Sequence, residues 1–248
     1  MSTTIFMFHA IGSITLDDWA DSHYGYSEDK FHNFLVSIGK VQSLRDAIDS
    51  GNSNTAIVTF DDGHVSNYYA AKYIHDNNFG SADFFINPEK VGLPFYMSWD
   101  QIKELNSWGM SIQSHGLDHQ YLTDCDDVEL HRQILLSKNI IEENIDNKVS
   151  ILAPPGGRFD KRTISICKNN GYTCIANSIP GKATNLKTFL FPRISVLSHH
   201  SADELLALQN QGKYKILIKI VKYKILLMAK NILGNTVYDK LRHQVLGG

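Results

Sequence analysis

Short runs of apolar and β-branched residues recur along the chain. Between them lie longer stretches whose apolar positions fall three and four apart. The short runs predict strands over Thr4–Phe8, Thr55–Phe60, Ser81–Ile86, Met110–Gln113, Val149–Leu152, Tyr172–Ala176 and Arg193–Val196. The longer stretches predict helices. Ser27–Ile38 and Ser98–Trp108 each begin with a capping Ser, Val65–Asn77 follows a Gly turn, Asp126–Ile145 is the longest, and Lys161–Asn170 stops before Gly171. Strand–helix alternation of this kind means βαβ units and a parallel sheet, and about seven units point to an α/β barrel, irregular or incompletely closed. In such folds the chemistry gathers at the C-terminal ends of the strands.

Two strand ends carry groups that turn chemistry alone does not require. The run Thr55–Phe60 leads straight into Asp61-Asp62-Gly63-His64. Adjacent carboxylates repel one another, and a bound cation relieves that repulsion; one Asp then serves as ligand while its neighbour stays ionised as a base. An Asp-Gly turn with a helix N-cap is the simpler alternative for this tetrapeptide alone. Beyond the strand Met110–Gln113 comes Ser114-His115-Gly116-Leu117-Asp118-His119. On a helical turn, two histidines four apart face the same side, a spacing at which imidazoles chelate one metal. Gly116 stands where a zincin motif would carry its Glu, so a base must come from elsewhere, and Asp61 is available. Asp62, His115 and His119 then form an Asp-His-His site with open positions for water and substrate.

Together these residues resemble a known family. Thr59-Phe-Asp-Asp-Gly63 and His115-x-x-x-His119 are similar to the first two motifs of the polysaccharide deacetylases, the NodB-homology or carbohydrate esterase family 4 proteins. The resemblance continues through Ala82-Asp-Phe-Phe-Ile86 and Pro154-Pro-Gly-Gly157, and spans about Ile5 to Val196. It implies a distorted (β/α)7 barrel and metal-dependent removal of acetyl from N-acetylated sugars. Asp61 is the implied base. Asp62, His115 and His119 are the implied ligands of a divalent metal, usually zinc, and Pro155 and Gly156 are placed against the substrate. Where the family commonly has an Arg before its Pro-rich motif, this chain has Ala153; Arg193, on a later strand, is expected to reach the same carboxylate. For the general acid, His9 at the end of the first strand competes with His199 in Leu197-Ser-His-His200, which resembles the family's last motif only loosely. A non-sugar amide hydrolase, or a metal- or glycan-binding barrel without catalysis, remains the alternative.

Composition adds one feature. The 248 residues are 43% hydrophobic and 20% charged, an ordinary globular mix, with a net charge of -2. From Lys213 onward, however, eight Lys and Arg face a single Asp, a local charge of +7. The chain therefore divides into a barrel domain, 1–212, and a basic amphipathic helical extension, 213–248. On a helical wheel Lys215, Lys219, Lys222 and Lys230 share one face, and Ile218, Val221, Ile225, Met228 and Ile232 another, with Lys224 intruding on the apolar arc. Such a helix either packs on the barrel or lies on an anionic membrane surface. It is too charged to span a bilayer, and nucleic acid is not an expected partner. MSTTIFMFHA lacks the features of a secretory signal, and three cysteines without ligand spacing read as reduced thiols. The expectation is a cytoplasmic enzyme at the inner membrane face, acting on a surface-glycan precursor such as that of O-antigen or capsule, with a lipid-linked carrier as one form.

Overall fold

The computed structural model describes residues 2–15, 17–52, 54–211, 217–218 and 220–221. Its centre is one sheet whose paired strands are all parallel. The strands are β1 (Ile5–Phe8), β2 (Val41–Gln42), β3 (Ala56–Phe60), β4 (Asp83–Ile86), β5 (Ser111–Ser114), β6 (Ile151–Leu152), β7 (Cys174–Ala176), β8 (Leu190–Phe191) and β9 (Ile194–Ser195). The order β8-β7-β6-β5-β4-β3-β1-β9 ends on two strands that Pro192 and Arg193 join directly. The seventh predicted strand, Arg193–Val196, is β9, and β8 just before it is an additional short strand. Pro192 separates the two, because a proline has no N–H to give a ladder; β8 pairs with β7, β9 pairs with β1, and the sheet returns on itself as a distorted (β/α) barrel.

Helices α1 (Glu28–Ile38), α2 (Leu44–Ser50), α3 (Ser66–Asp76), α4 (Trp99–Ser107), α5 (Asp127–Ile145), α6 (Lys161–Asn169) and α7 (Ala202–Gln211) accompany the strands. The predicted Ser caps are present: Ser27 accepts from Lys30 N–H and Ser98 from Gln101 N–H. Two-residue β2 and seven-residue α2 carry too little periodicity to be read in advance. β2 pairs with the first residues of β3, and α2 follows it at once.

Both faces of the sheet are covered, so the strands are near-continuous apolar runs instead of alternating ones. On one face Phe6, Phe8, Val58, Phe60 and Phe84 pack with helix residues such as Phe31, Phe34 and Ile102. On the other, Ile5, Ile57, Phe85, Ile151 and Phe191 meet Leu44 and Ala47 of α2. Because side chains alternate at period two, this second face continues upward from Ile5 and Ile57 to His9 and Asp61, and from Phe191 to Arg193. The strand pleat thus selects which polar residues converge at the barrel mouth.

Asp83 lies at the opposite end of β4 and is fully buried. Its Oδ2 accepts Leu44 N–H at 2.5 Å and its Oδ1 accepts Arg45 N–H at 3.3 Å, which ties the start of α2 to the sheet. Burial outweighs those bonds and pushes the carboxyl up to about 7. A carboxyl raised above its unfolded value binds protons more readily when folded, so it makes the protein lose stability as pH rises from about 4 to about 7. Asp83→Asn is expected to flatten that slope, which urea melts at pH 5 and pH 7.5 will show.

Most of the basic extension lies outside the described residues. Within it Leu217, Ile218 and Val221 are exposed and Ile220 packs against the barrel core. The three cysteines, Cys125, Cys167 and Cys174, are buried and unbridged. Among the described residues no helix is long and apolar enough to cross a membrane.

Candidate metal and catalytic centre

Asp61 and Asp62 follow β3 directly, yet they face different partners. Asp61 continues the strand, donating its N–H to Phe8 O at 3.0 Å. Asp62 turns sharply, with φ at 72°, so its carboxylate leaves the direction of its neighbour's. This turn separates the two carboxylates into two tasks.

The Asp61 carboxylate meets the Arg193 guanidinium in a two-pronged pair, Nη1–Oδ1 at 2.6 Å and Nη2–Oδ2 at 2.7 Å. Arg193 is completely buried. Its remaining donors reach Thr59 Oγ1 at 3.2 Å and the Asn177 carbonyl at 3.2 Å, and its planar group lies 5.1 Å from the centre of the Phe85 ring. Burial alone would raise the Asp61 pKa. The charge and hydrogen bonds of Arg193, together with His115 and His9, outweigh burial and hold it below its ordinary value. Arg193 thus reaches the carboxylate of Asp61.

Asp62 faces the histidines. Its Oδ1 lies 3.1 Å from His115 Nε2 and 3.2 Å from His119 Nε2. Burial would raise the Asp62 pKa, but hydrogen bonds from both imidazoles, with the fields of His9 and His115, hold it well below the usual range. For His119, burial alone would lower the pKa; the hydrogen bond and charge of Asp62, with Asp61, outweigh it and raise it. The site is thus electronegative, as a cation requires.

The loop bearing the histidines corrects one expectation. His115 and His119 do not share a helical turn. They lie in an irregular loop after β5, in which Gly116 at φ 76° and His119 at φ 72° reverse the chain. Gln133 of α5 braces this loop, its Oε1 accepting Leu117 N–H at 2.9 Å and its Nε2 donating to Asp118 Oδ1 at 2.8 Å. His115 Nδ1 donates to the Ala153 carbonyl at 2.7 Å, so in the neutral imidazole Nε2 is the nitrogen whose lone pair can take a cation. Donor atoms of Asp62, His115 and His119 all lie within 4.8 Å of one another. Two imidazoles, one carboxylate and a tautomer fixed for coordination fit a divalent metal.

His9 lines a cleft shared with Asp62, together with Ala10, Trp19, Ala20, Asp21 and Tyr24. Its ring packs 4.4 Å from that of Tyr24. Burial lowers its pKa, against the opposing fields of Asp62 and Asp61. The other candidate acid, His199, is exposed and packs against His200 with ring centres 4.6 Å apart. Pro155 and Gly156 sit in a short 3-10 turn. Pro155 packs beside Gly116, and Gly156, at φ 59°, lies so close to Tyr121 that a Cβ would come within 2.7 Å of its ring. These two residues therefore support the histidine loop.

Sequence reasoning missed several supporting groups. Asn87, just past β4, donates to the His115 carbonyl at 2.5 Å, and Asn67 of α3 donates to the His9 carbonyl at 2.6 Å. Asn87 stands at the period-two position beyond Phe85, a signal the strand pattern did contain.

A profile of the family described as polysaccharide deacetylase matches residues 49–175, which include Asp61, Asp62, His115 and His119. The chain belongs to the polysaccharide deacetylase family. Family relatives include YxkH of Bacillus subtilis (strain 168), named as a polysaccharide deacetylase, which is 27% identical over 128 residues; the match covers 52% of this chain and 46% of YxkH. The chain thus spans about half the length of that relative. The barrel superposes on the deacetylase PplD of Streptococcus pyogenes, solved with acetate, with a TM-score of 0.76 at 20% identity, covering 85% of this chain and 99% of PplD. BC0361, a polysaccharide deacetylase from Bacillus cereus, gives 0.75 at 20% identity, covering 84% and 68%. At such identity these two structures speak to a common fold.

Proposed function

We propose that the protein is a metal-dependent N-deacetylase that hydrolyses the acetamide of an N-acetylated sugar to acetate and a free amine. The observation that carries this reading is the juxtaposition of the Asp62–His115–His119 group with a second carboxylate, Asp61, locked by Arg193.

Zinc is the metal best matched to two imidazoles and a carboxylate; bound there, such a cation would polarise the amide carbonyl and acidify water. The protein's own residues do the rest. Asp61, kept ionised and oriented by Arg193, takes a proton from water as its oxygen adds to the acetamide carbon. Its lowered pKa makes it a weak base, so it needs an acidified water as its proton source. His9, held at the cleft wall, delivers a proton to the nitrogen as the C–N bond breaks, because an amide anion is too poor a leaving group. The carbonyl carbon leaves as acetate and the nitrogen as an amine.

The substrate we favour is a surface-polysaccharide precursor, lipid-linked in one form, met by a cytoplasmic enzyme at the inner membrane face. What supports this is the +7 charge from Lys213 onward, interleaved with apolar residues, which suits an anionic lipid surface.

Metal removal tests the catalytic proposal. Treatment with a chelator, followed by its removal, is expected to cut acetate release from an N-acetylated oligosaccharide about a hundredfold or more, and added Zn2+ to restore it. Undiminished release after chelation would contradict the proposal.

A further inference from the structure

We propose that Trp19, backed by Tyr96, is the wall on which the hexosamine ring stacks, so that this pair sets affinity for glycan substrates. The inference rests on the deacetylase reading and adds a binding element to that site.

Trp19 lies in the long loop between β1 and α1. It is 40% exposed, although large aromatics are normally buried, and it lines the cleft that also holds His9 and Asp62. Its ring stacks on Tyr96, with centres 4.4 Å apart and planes 14° from parallel. One face of the indole is therefore covered. An indole displayed beside the reacting groups offers an apolar, electron-rich platform, and the C–H face of a sugar ring is the complementary surface.

The display is built by several buried contacts. Asp18, immediately before Trp19, accepts Ala20 N–H on Oδ1 at 2.9 Å and pairs through Oδ2 with His64 Nε2 at 2.9 Å. The Asp18 and His64 side chains are 5% and 7% exposed. On the other side of the imidazole, Nδ1 lies 2.7 Å from Ser66 Oγ, which also accepts Ile11 N–H at 2.8 Å. The loop is thus fastened at Ile11 and at Asp18, next to the indole, to the segment that follows Asp62. The same segment fastens the backing residue. His64 forms an antiparallel bridge with Tyr96, and Val65 donates its N–H to Phe95 O at 2.7 Å. Phe95 itself sits at φ 66°, a conformation that costs about 1 kcal/mol or more for such a side chain and is kept here beside the stack. Finally, the edge of Trp19 meets His64 at 5.4 Å between ring centres. A surface tryptophan without a task has no need of this scaffold.

A stacking wall touches the sugar ring and leaves the acetyl group alone. Its loss should weaken binding of the substrate and of the transition state equally, which raises KM and spares kcat. The test compares the metal-loaded full chain with Trp19→Ala, Trp19→Phe and Tyr96→Leu, using N,N′,N″-triacetylchitotriose and the small ester p-nitrophenyl acetate. Trp19→Ala is expected to raise KM for the trisaccharide about tenfold with kcat within about twofold. Trp19→Phe should recover most of the loss, Tyr96→Leu should fall between, and ester hydrolysis should stay unchanged in all three. An unchanged trisaccharide KM, or equal losses on both substrates, would overturn the wall. If the wild type releases no acetate, the deacetylase reading fails. Calorimetric binding of the trisaccharide then decides the wall alone: a Kd weakened about tenfold by Trp19→Ala supports it, while an equal Kd, or no binding to the wild type, overturns it.

Discussion

Replacing Arg193 by Met is expected to lower the melting temperature by about 10 °C and to abolish most acetate release. Arg193 is fully buried, and its guanidinium neutralises a carboxylate that is itself only 4% exposed. Removing one partner leaves the other charge stranded in the interior, which costs about 3–5 kcal/mol, or about 2–4 °C per kcal/mol for a chain of this size. The Thr59 hydroxyl and Asn177 carbonyl lose a donor as well. Arg193→Lys keeps the charge without the two-pronged geometry and should fall between. Because Asp61 titrates below its ordinary value when folded, the pair's contribution is complete above about pH 4 and disappears as pH falls through the lower, folded-state value. A double-mutant cycle with Asp61→Asn separates the pair from its surroundings: Asp61→Asn should cost less stability once Arg193 is Met. A melting temperature within about 2 °C of wild type for Arg193→Met would show that the pair is not what holds Asp61.

Asp61→Asn is expected to reduce turnover about 10²- to 10⁴-fold, the range seen when a positioned proton acceptor is lost. The asparagine keeps the shape of the carboxylate, but its amide nitrogen cannot accept a proton and faces the guanidinium badly. Asp61 is absent from the group whose donor atoms converge, so metal binding should survive. The variant therefore separates the base from the ligands, a separation the backbone already makes by turning Asp62 into the left-handed region.

How much of this was legible from the residues alone depended on where each group sits. Asp61 and Asp62 follow the apolar run of β3, His115 follows the shorter β5, and Arg193 opens the last strand that the pattern predicts. His119 was found by its spacing to His115, but for a reason that does not hold in the structure. Helical geometry was inferred, whereas Gly116 and His119 reverse the chain in a loop braced by Gln133. Residues on irregular backbone, such as Trp19 and Tyr24, carry no periodicity, so their convergence on the cleft of His9 depends on the course of the β1–α1 loop. Likewise the contacts of Pro155 with Gly116 and of Gly156 with Tyr121 join segments far apart in the chain and leave no mark on its pattern. β2 and α2 were too short to announce themselves, and β8 was hidden by the break at Pro192.

The most direct test joins two readings on the same three samples: bound metal and acetate release for the wild type, Asp61→Asn and His115→Ala. The wild type should hold one ion at the Asp62, His115 and His119 group and release acetate. Asp61→Asn should hold the ion and release almost none, and His115→Ala should lose both. Acetate release at the wild-type rate by Asp61→Asn, or by metal-free His115→Ala, would contradict the assignment of base and ligands.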